Sequence, residues 1–207
     1  MKKGLILFLI LSSFACAASA YILEDFEDGL IKDDPIWFDF GNIKIEVQGN
    51  ANLTSGEKSV IEKIKKGSLD VHGLTKDWYI GGIGVEKNIE AARYKAFDFD
   101  VYGYGESSGK IKVELYDDDN LDQAVVTDEK WKPIGDDLWV KEVNIDWYGW
   151  KRVSIPFSEF INQGTGNNLF DADTSKGFGP LVKVQFIFLA SNKLGEIHCA
   201  LDNLVFR

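Results

Sequence analysis

Apolar and polar residues alternate with a period of two along most of this chain. That rhythm excludes a helical protein before any motif is considered, because it puts one face of each segment inside and the other in water. In Lys110-Ile-Lys-Val-Glu-Leu-Tyr116, Ile111, Val113 and Leu115 share one face, and Lys112, Glu114 and Tyr116 take the other. Between Tyr94 and Tyr102, Phe97, Phe99 and Val101 alternate with Ala96, Asp98 and Asp100. Val153, Ile155 and Phe157 alternate with Arg152 and Ser154, and Val184, Phe186 and Phe188 with Lys183, Gln185 and Ile187. Further strands are predicted at 21–27, 43–48, 59–65, 79–85, 138–145 and 196–206.

Turn signals separate these runs: Asp28-Gly29, Gly105-Glu-Ser-Ser-Gly109, Gly135-Asp-Asp137, Gly164-Thr-Gly166 and Asn192-Lys-Leu-Gly195. Helical periodicity is weak, with one turn predicted at Ser158-Glu-Phe-Ile161 after Pro156. About ten short strands with one-sided apolar faces predict an all-β chain, a two-sheet antiparallel β-sandwich or jelly roll. No repeat or low-complexity linker divides it, so residues 21–207 are expected to form one domain.

Residues 1–20 read differently. Lys2 and Lys3 precede an apolar run from Leu5 to Leu11 and the triplet Ala18-Ser19-Ala20. This is the pattern of a signal peptide, with cleavage expected after Ala20 and export to the periplasm, cell surface or medium. An alternative is a lipoprotein acylated at Cys16, although its upstream triplet contains the bulky Phe14. The apolar run is too short for a permanent span. No second one follows, so no stable membrane span is expected.

The chain carries 23 basic and 33 acidic residues, a net charge of −10. Loss of Lys2 and Lys3 with the leader leaves 21 basic residues and deepens the net charge to −12. Nucleic acid is excluded as a partner, since no basic footprint exists to displace phosphate counterions. Cys199 is the single cysteine after Cys16 and lies in the apolar pattern Ile197-x-Cys199-x-Leu201, which predicts an inert core thiol. Two histidines, His72 and His198, lie far apart in sequence and lack a nucleophile-elbow context. Zinc and a Ser-His-Asp triad are therefore not expected. Asp98 and Asp100 share a face and are the best carboxylate pair for glycoside hydrolysis, but no fuller catalytic constellation accompanies them. A non-enzymatic, monomeric binder is expected. The acidic run Tyr116-Asp-Asp-Asp-Asn120 reads as a solvated turn, with a second cation site as the alternative.

Three segments carry a family resemblance: Leu23-Glu-Asp-Phe-Glu27 with Trp37 after it, Trp150-Lys-Arg-Val-Ser-Ile-Pro-Phe-Ser-Glu-Phe160, and Val184-Gln-Phe-Ile-Phe-Leu-Ala-Ser-Asn-Lys193 followed by Leu201-Asp-Asn-Leu-Val-Phe206. In order and spacing the chain resembles carbohydrate-binding module family 11. It shares parts with other galactose-binding-like jelly rolls, including the complex I intermediate-associated protein 30 domain. The resemblance implies a β-sandwich that binds β-glucan chains in a concave cleft, beside a glycoside hydrolase supplied by a partner. It also implies a structural calcium held by Glu27 and Asp202, with Asp25 as an extra ligand and carbonyls from the 52–58 loop.

Trp37 and Trp150 read as framework. Tyr79-Ile80-Gly81 matches the family's Tyr-x-Gly segment, which makes Trp78 and Tyr79 cleft residues by resemblance. Outward-facing aromatic and hydrogen-bonding positions add Tyr102, Glu114, Tyr116, Trp139, Arg152 and Gln185 as sugar contacts. The sequence departs from the family at Gln185 and Phe188, where a His and a Tyr are expected, and at Lys141, where a Tyr is expected. These departures support an alternative in which the same fold serves as a protein-binding envelope or periplasmic assembly factor.

Overall fold

The computed structural model describes residues 19–31, 35–49, 67–191 and 195–207. Twelve strands run through them: β1 (Tyr21–Glu24), β2 (Trp37–Gly41), β3 (Ile43–Gly49), β4 (Gly67–Leu74), β5 (Tyr79–Ile89), β6 (Ala96–Tyr104), β7 (Lys110–Asp117), β8 (Asp137–Asn144), β9 (Tyr148–Pro156), β10 (Ile161–Asn162), β11 (Leu181–Leu189) and β12 (Glu196–Phe206). They form two antiparallel sheets. The first has the order β3-β4-β12-β6-β9, with β1 added beside β12, and the second has the order β10-β8-β7-β11-β5-β2. The predicted sandwich is present. The predicted strand at 59–65, the 52–58 loop and residues 1–18 lie outside the described residues.

The alternation sorts side chains as expected. Phe97 and Phe99 of the first sheet meet Phe186 of the second, with ring centroids 6.1 Å and 5.5 Å away, and Phe206 packs on Phe97 within the first sheet at 4.7 Å. Each buried ring removes enough apolar surface from water to contribute about 1.5–3 kcal/mol. Cys199 is fully buried in this core, where burial pushes its thiol pKa up.

Two local departures from regular strand geometry shape the edges. The predicted strand at 21–27 stops at Glu24, because Phe26 adopts a positive φ of 51°. Glu24 stabilises that turn: its Oε1 accepts from the Asp25 and Phe26 amides, and its Oε2 accepts from Trp37 Nε1 at 3.1 Å. Trp37 is buried between Phe26 and Phe186, which confirms it as framework. In β12 the register slips between Asp202 and Val205, with Asn203 at φ 49°. This bulge keeps Leu201, Leu204 and Phe206 all pointing inward despite their odd spacing.

Strands β2, β4 and the short β10 are additions to the predicted set. The predicted helical turn is a 3-10 turn at Phe157–Glu159. Among the described residues, no helix is long and apolar enough to cross a membrane.

Candidate functional site

The outer face of the second sheet combines exposed aromatics with ordered polar groups. Across the sheet, Phe38, Gly84, Gln185, Glu114, Val140 and Ile161 lie opposite one another in a single row. The next row contains Phe40, Gly82, Ile187 and Lys112. A side chain at Gly84 would collide with the Phe38 ring, and one at Gly82 with the Phe40 ring. Both phenylalanines therefore lean over β5 and lie along its surface. Trp78 and Tyr79 stand at the end of this strip, 64% and 39% exposed, with their rings edge to face at 6.1 Å.

Glu114 organises the polar part. Its Oε2 accepts from Gln185 Nε2 at 2.7 Å and Tyr116 Oη at 3.0 Å, while Lys112 Nζ lies 2.6 Å from Oε1. Burial and the Glu114 charge raise the Tyr79 phenol, so the two lie within electrostatic reach. Lys183 Nζ sits 3.7 Å above the Tyr116 ring. Val125, from the segment between β7 and β8, packs on Tyr116, Leu138, Val140 and Val182 and closes that end of the face.

The structure thus gathers Trp78, Tyr79, Glu114, Tyr116 and Gln185 on one face and separates the other three predicted contacts from them. Tyr116 is buried under Lys183 rather than offered as a platform, because a cation over the ring and the Val125 contact cover it. Trp139 was expected to face outward. It sits opposite Leu115 and packs inside against Phe170 at 5.7 Å, because β8 enters the sheet with Leu138 and Val140 on its outer side. Tyr102 and Arg152 lie on the outer face of the first sheet, across the sandwich. Tyr102 packs on Trp150, and Arg152 Nη2 donates to Asp100 Oδ2 at 2.8 Å. Trp150 is buried in that cluster, in keeping with a framework role. Gln185 faces the site as expected, whereas Phe188 faces the core and Lys141 pairs with Glu159 at 2.8 Å. Phe38 and Phe40 were missed. The signal was available as alternate aromatics in Trp37-Phe-Asp-Phe-Gly41 together with Gly81-Gly-Ile-Gly84, where rings can lie over bare backbone.

Asp98 and Asp100 also point outward from the first sheet, but both are engaged. Asp98 accepts from Ser154 Oγ at 2.6 Å and lies 3.4 Å from Arg207 Nε. Asp100 is held by Arg152 and by Asn203 Nδ2 at 2.9 Å.

Two further carboxylate groups have a different character. Asp202 is buried at the β12 bulge; its Oδ1 accepts from the Asn203 amide, and its Oδ2 has no donor. Burial, with Asp100, Glu27 and Asp25 nearby, pushes its pKa up to about 8. The acidic run after β7 is not a solvated turn. Asp117, Asp118, Asp136 and Asp137 are all buried. In each, one oxygen is anchored, by the amides of Asp171, Gln123, Asp119 and Gly166 respectively. The other oxygen of each is buried without a donor. Burial and neighbouring aspartates raise Asp117 to about 8 and Asp119 and Asp136 to about 6. Four buried, half-satisfied carboxylates are costly unless protons or a cation neutralise them.

Neither a protein-family model nor a curated protein matches the chain by sequence. Solved structures match over nearly its whole length. A family 11 carbohydrate-binding module from Clostridium thermocellum, in complex with a β-1,3-1,4-mixed-linked tetrasaccharide, is 16% identical with a TM-score of 0.56, and the match covers 90% of this chain and 94% of that one. The family 11 module of the cellulosomal cellulase Lic26A-Cel5E of Clostridium thermocellum is 15% identical with a TM-score of 0.54, covering 92% and 95%. An exo-β-agarase matches over 90% of this chain but 24% of its own, at 11% identity and a TM-score of 0.57. At these identities the likeness is one of fold: the chain has the two-sheet β-sandwich of family 11 carbohydrate-binding modules.

Proposed function

We propose that this chain is an exported, non-catalytic carbohydrate-binding protein that takes β-glucan chains along the outer face of the second sheet. The observation that carries this reading is the strip formed by Trp78, Tyr79, Phe38 and Phe40 beside the Gln185–Glu114 pair. Flat apolar ring faces suit the C–H faces of pyranoses, and the adjacent amide and carboxylate suit their hydroxyls. The fold likeness to a module solved with a mixed-linked tetrasaccharide supports it. The leader-like pattern of residues 1–20 supports export.

Calcium is part of the proposal. Asp202, with Glu27 and Asp25, fits an oxygen-seeking ion at the junction of β1 and β12, because Asp202 Oδ2 is buried without a hydrogen-bond donor. The buried aspartates Asp117, Asp118, Asp136 and Asp137 fit the same chemistry at the base of the segment that borders the sugar face.

Affinity electrophoresis in gels containing barley β-glucan, xyloglucan or hydroxyethylcellulose tests the sugar reading. Retardation in at least one is expected, and free migration in all three overturns it. A second reading, a protein-binding assembly factor on the same fold, is favoured by the covering of Tyr116, which shortens the stacking surface. It predicts free migration in every glucan gel. Catalysis is not proposed, since Asp98 and Asp100 are committed to structural partners; release of reducing sugar that Asp98→Ala abolishes would reverse that.

A further inference from the structure

We propose that Asp70, His72 and His198 form a binding site for a divalent transition cation, of which Zn²⁺ is the representative, on the outer face of the first sheet. The two histidines are 126 positions apart in sequence, and they are the only two in the chain. The sheet register places them directly opposite each other, His72 on β4 and His198 on β12. Asp70 lies two residues before His72 on the same strand, so its side chain emerges on the same face. Its cross-strand neighbour on β12 is Ala200, whose small side chain leaves room for the carboxylate.

The ligand atoms converge. His72 Nε2 lies 3.2 Å from Asp70 Oδ2, and His198 Nε2 lies 3.5 Å from Asp70 Oδ1. One donor atom from each of the three residues falls within 4.8 Å of the others. Ligands held at zinc's usual bond length of about 2.0–2.1 Å in a tetrahedron stand roughly 3.4 Å apart. The two imidazole-to-carboxylate spacings, one to each Asp70 oxygen, are close to that edge. Two imidazoles and one carboxylate are a donor set for zinc and its neighbours rather than for calcium, which prefers oxygen throughout. Among the described residues this is the one such set that joins histidine to carboxylate.

The site is rigid on one side and open on the other. The His72 and His198 rings stack at 4.4 Å and 3°, and Tyr104 stacks on His198 at 3.7 Å and 14°. These stacks hold the Nε2 edges of both rings towards Asp70, and a tilt of the two rings out of parallel is what brings both lone pairs onto one ion. The Asp70 side chain is 8% exposed and that of His72 is 49% exposed, so the carboxylate forms the floor and water reaches the rim. Lys44 lies opposite His72 on β3 and is the nearest cation in the register. The arrangement supplies three ligands and leaves a position for water. It lies across the sandwich from the proposed sugar face and does not depend on the sugar reading.

The test is isothermal titration of the full-length exported protein with Zn²⁺ after saturation with Ca²⁺, which fills the oxygen sites first. One Zn²⁺ per chain is expected, with affinity falling at least about tenfold in His198→Gln and again in His72→Gln. Asp70→Asn should weaken it too. Each variant is first shown to melt at the wild-type temperature. Co²⁺ should give the intense visible bands of a four-coordinate ion with nitrogen ligands in the wild type, and His198→Gln should lose them. Zn²⁺ heat that persists undiminished in the double histidine variant, or no heat at all, overturns the site. Asp70 would then be simply a carboxylate shared by two imidazoles.

Discussion

At the scale of single residues, the proposed sugar face makes separable predictions. Trp78 and Tyr79 are exposed and contribute little to the core, so Trp78→Ala and Tyr79→Ala should leave the melting temperature within about 2 °C, as expected of surface changes of under ~0.5 kcal/mol. Each should weaken glucan binding about tenfold, equivalent to about 1.4 kcal/mol, measured by affinity electrophoresis. Arg152→Ala gives the converse: it leaves Asp100 buried without its guanidinium partner, and should cost stability in a urea melt while sparing glucan retardation. Equal loss of binding in both sets would count against the second sheet as the sugar face. This split between Tyr79 and Arg152 shows what the sequence could and could not reveal. Both are outward on their own strands, and period two says so. It cannot say which of two outward faces a residue joins, because that depends on sheet membership. Trp139 failed for a related reason: the phase of β8 is set by Leu138 and Val140, which face a covering segment and look like core residues in sequence.

At the scale of elements, the glycines of β5 decide the shape of the strip. A Cβ at Gly82 would meet the Phe40 ring and also the Phe186 carbonyl oxygen at 2.6 Å, which is main chain and cannot swing aside. At Gly84 the three nearest atoms all belong to the Phe38 ring. Gly82→Ala should therefore cost about 1–3 kcal/mol in a urea melt, as overpacking does. Gly84→Ala should cost less, but should tilt Phe38 and reduce glucan retardation. Equal destabilisation by the two would contradict the asymmetry. Most elements were legible from alternation alone: β7, β11 and β12 match the predicted runs within about two residues. Strand β5 was recognised only to 85, since Glu86-Lys-Asn88 is polar on both faces. Strands β2 and β4 were missed because their pairing partners, rather than their own sequences, make them strands. Gly67, Gly73 and Gly41 weaken any local signal.

At the scale of the whole molecule, buried carboxylates couple stability to pH and to cations. Asp117 and Asp202 titrate near 8, and Asp119 and Asp136 near 6, against an ordinary 3.8. Their folded pKa values are raised, so between pH 4 and 8 the folded chain holds more protons than the unfolded one. Stability of the EDTA-treated protein should consequently rise as pH falls from 8 towards 5. Added Ca²⁺ displaces those protons, so it should raise the melting temperature most at pH 8 and least at pH 5. A Ca²⁺ effect that is absent, or larger at pH 5, would contradict the calcium proposal. Asp202 stands out in the sequence as a candidate calcium ligand through its neighbours in the motif. The run after β7 reads there as solvent-exposed because charge density alone does not reveal that backbone amides from distant loops close over it.

The pairing of β1 with β12 also has a mechanical meaning. Tyr21 stands opposite Phe206 in antiparallel strands, so the beginning of β1 and the end of β12 lie side by side. A load applied between Tyr21 and Arg207 would act across the ladder at its open end, peeling β1 from β12 one rung after another. Force spectroscopy along that axis should register early release of β1 at low force, before the two-sheet core yields. A cation seated between Asp202 and the residues after β1 would act as a rivet just behind the peeling front and raise that first force.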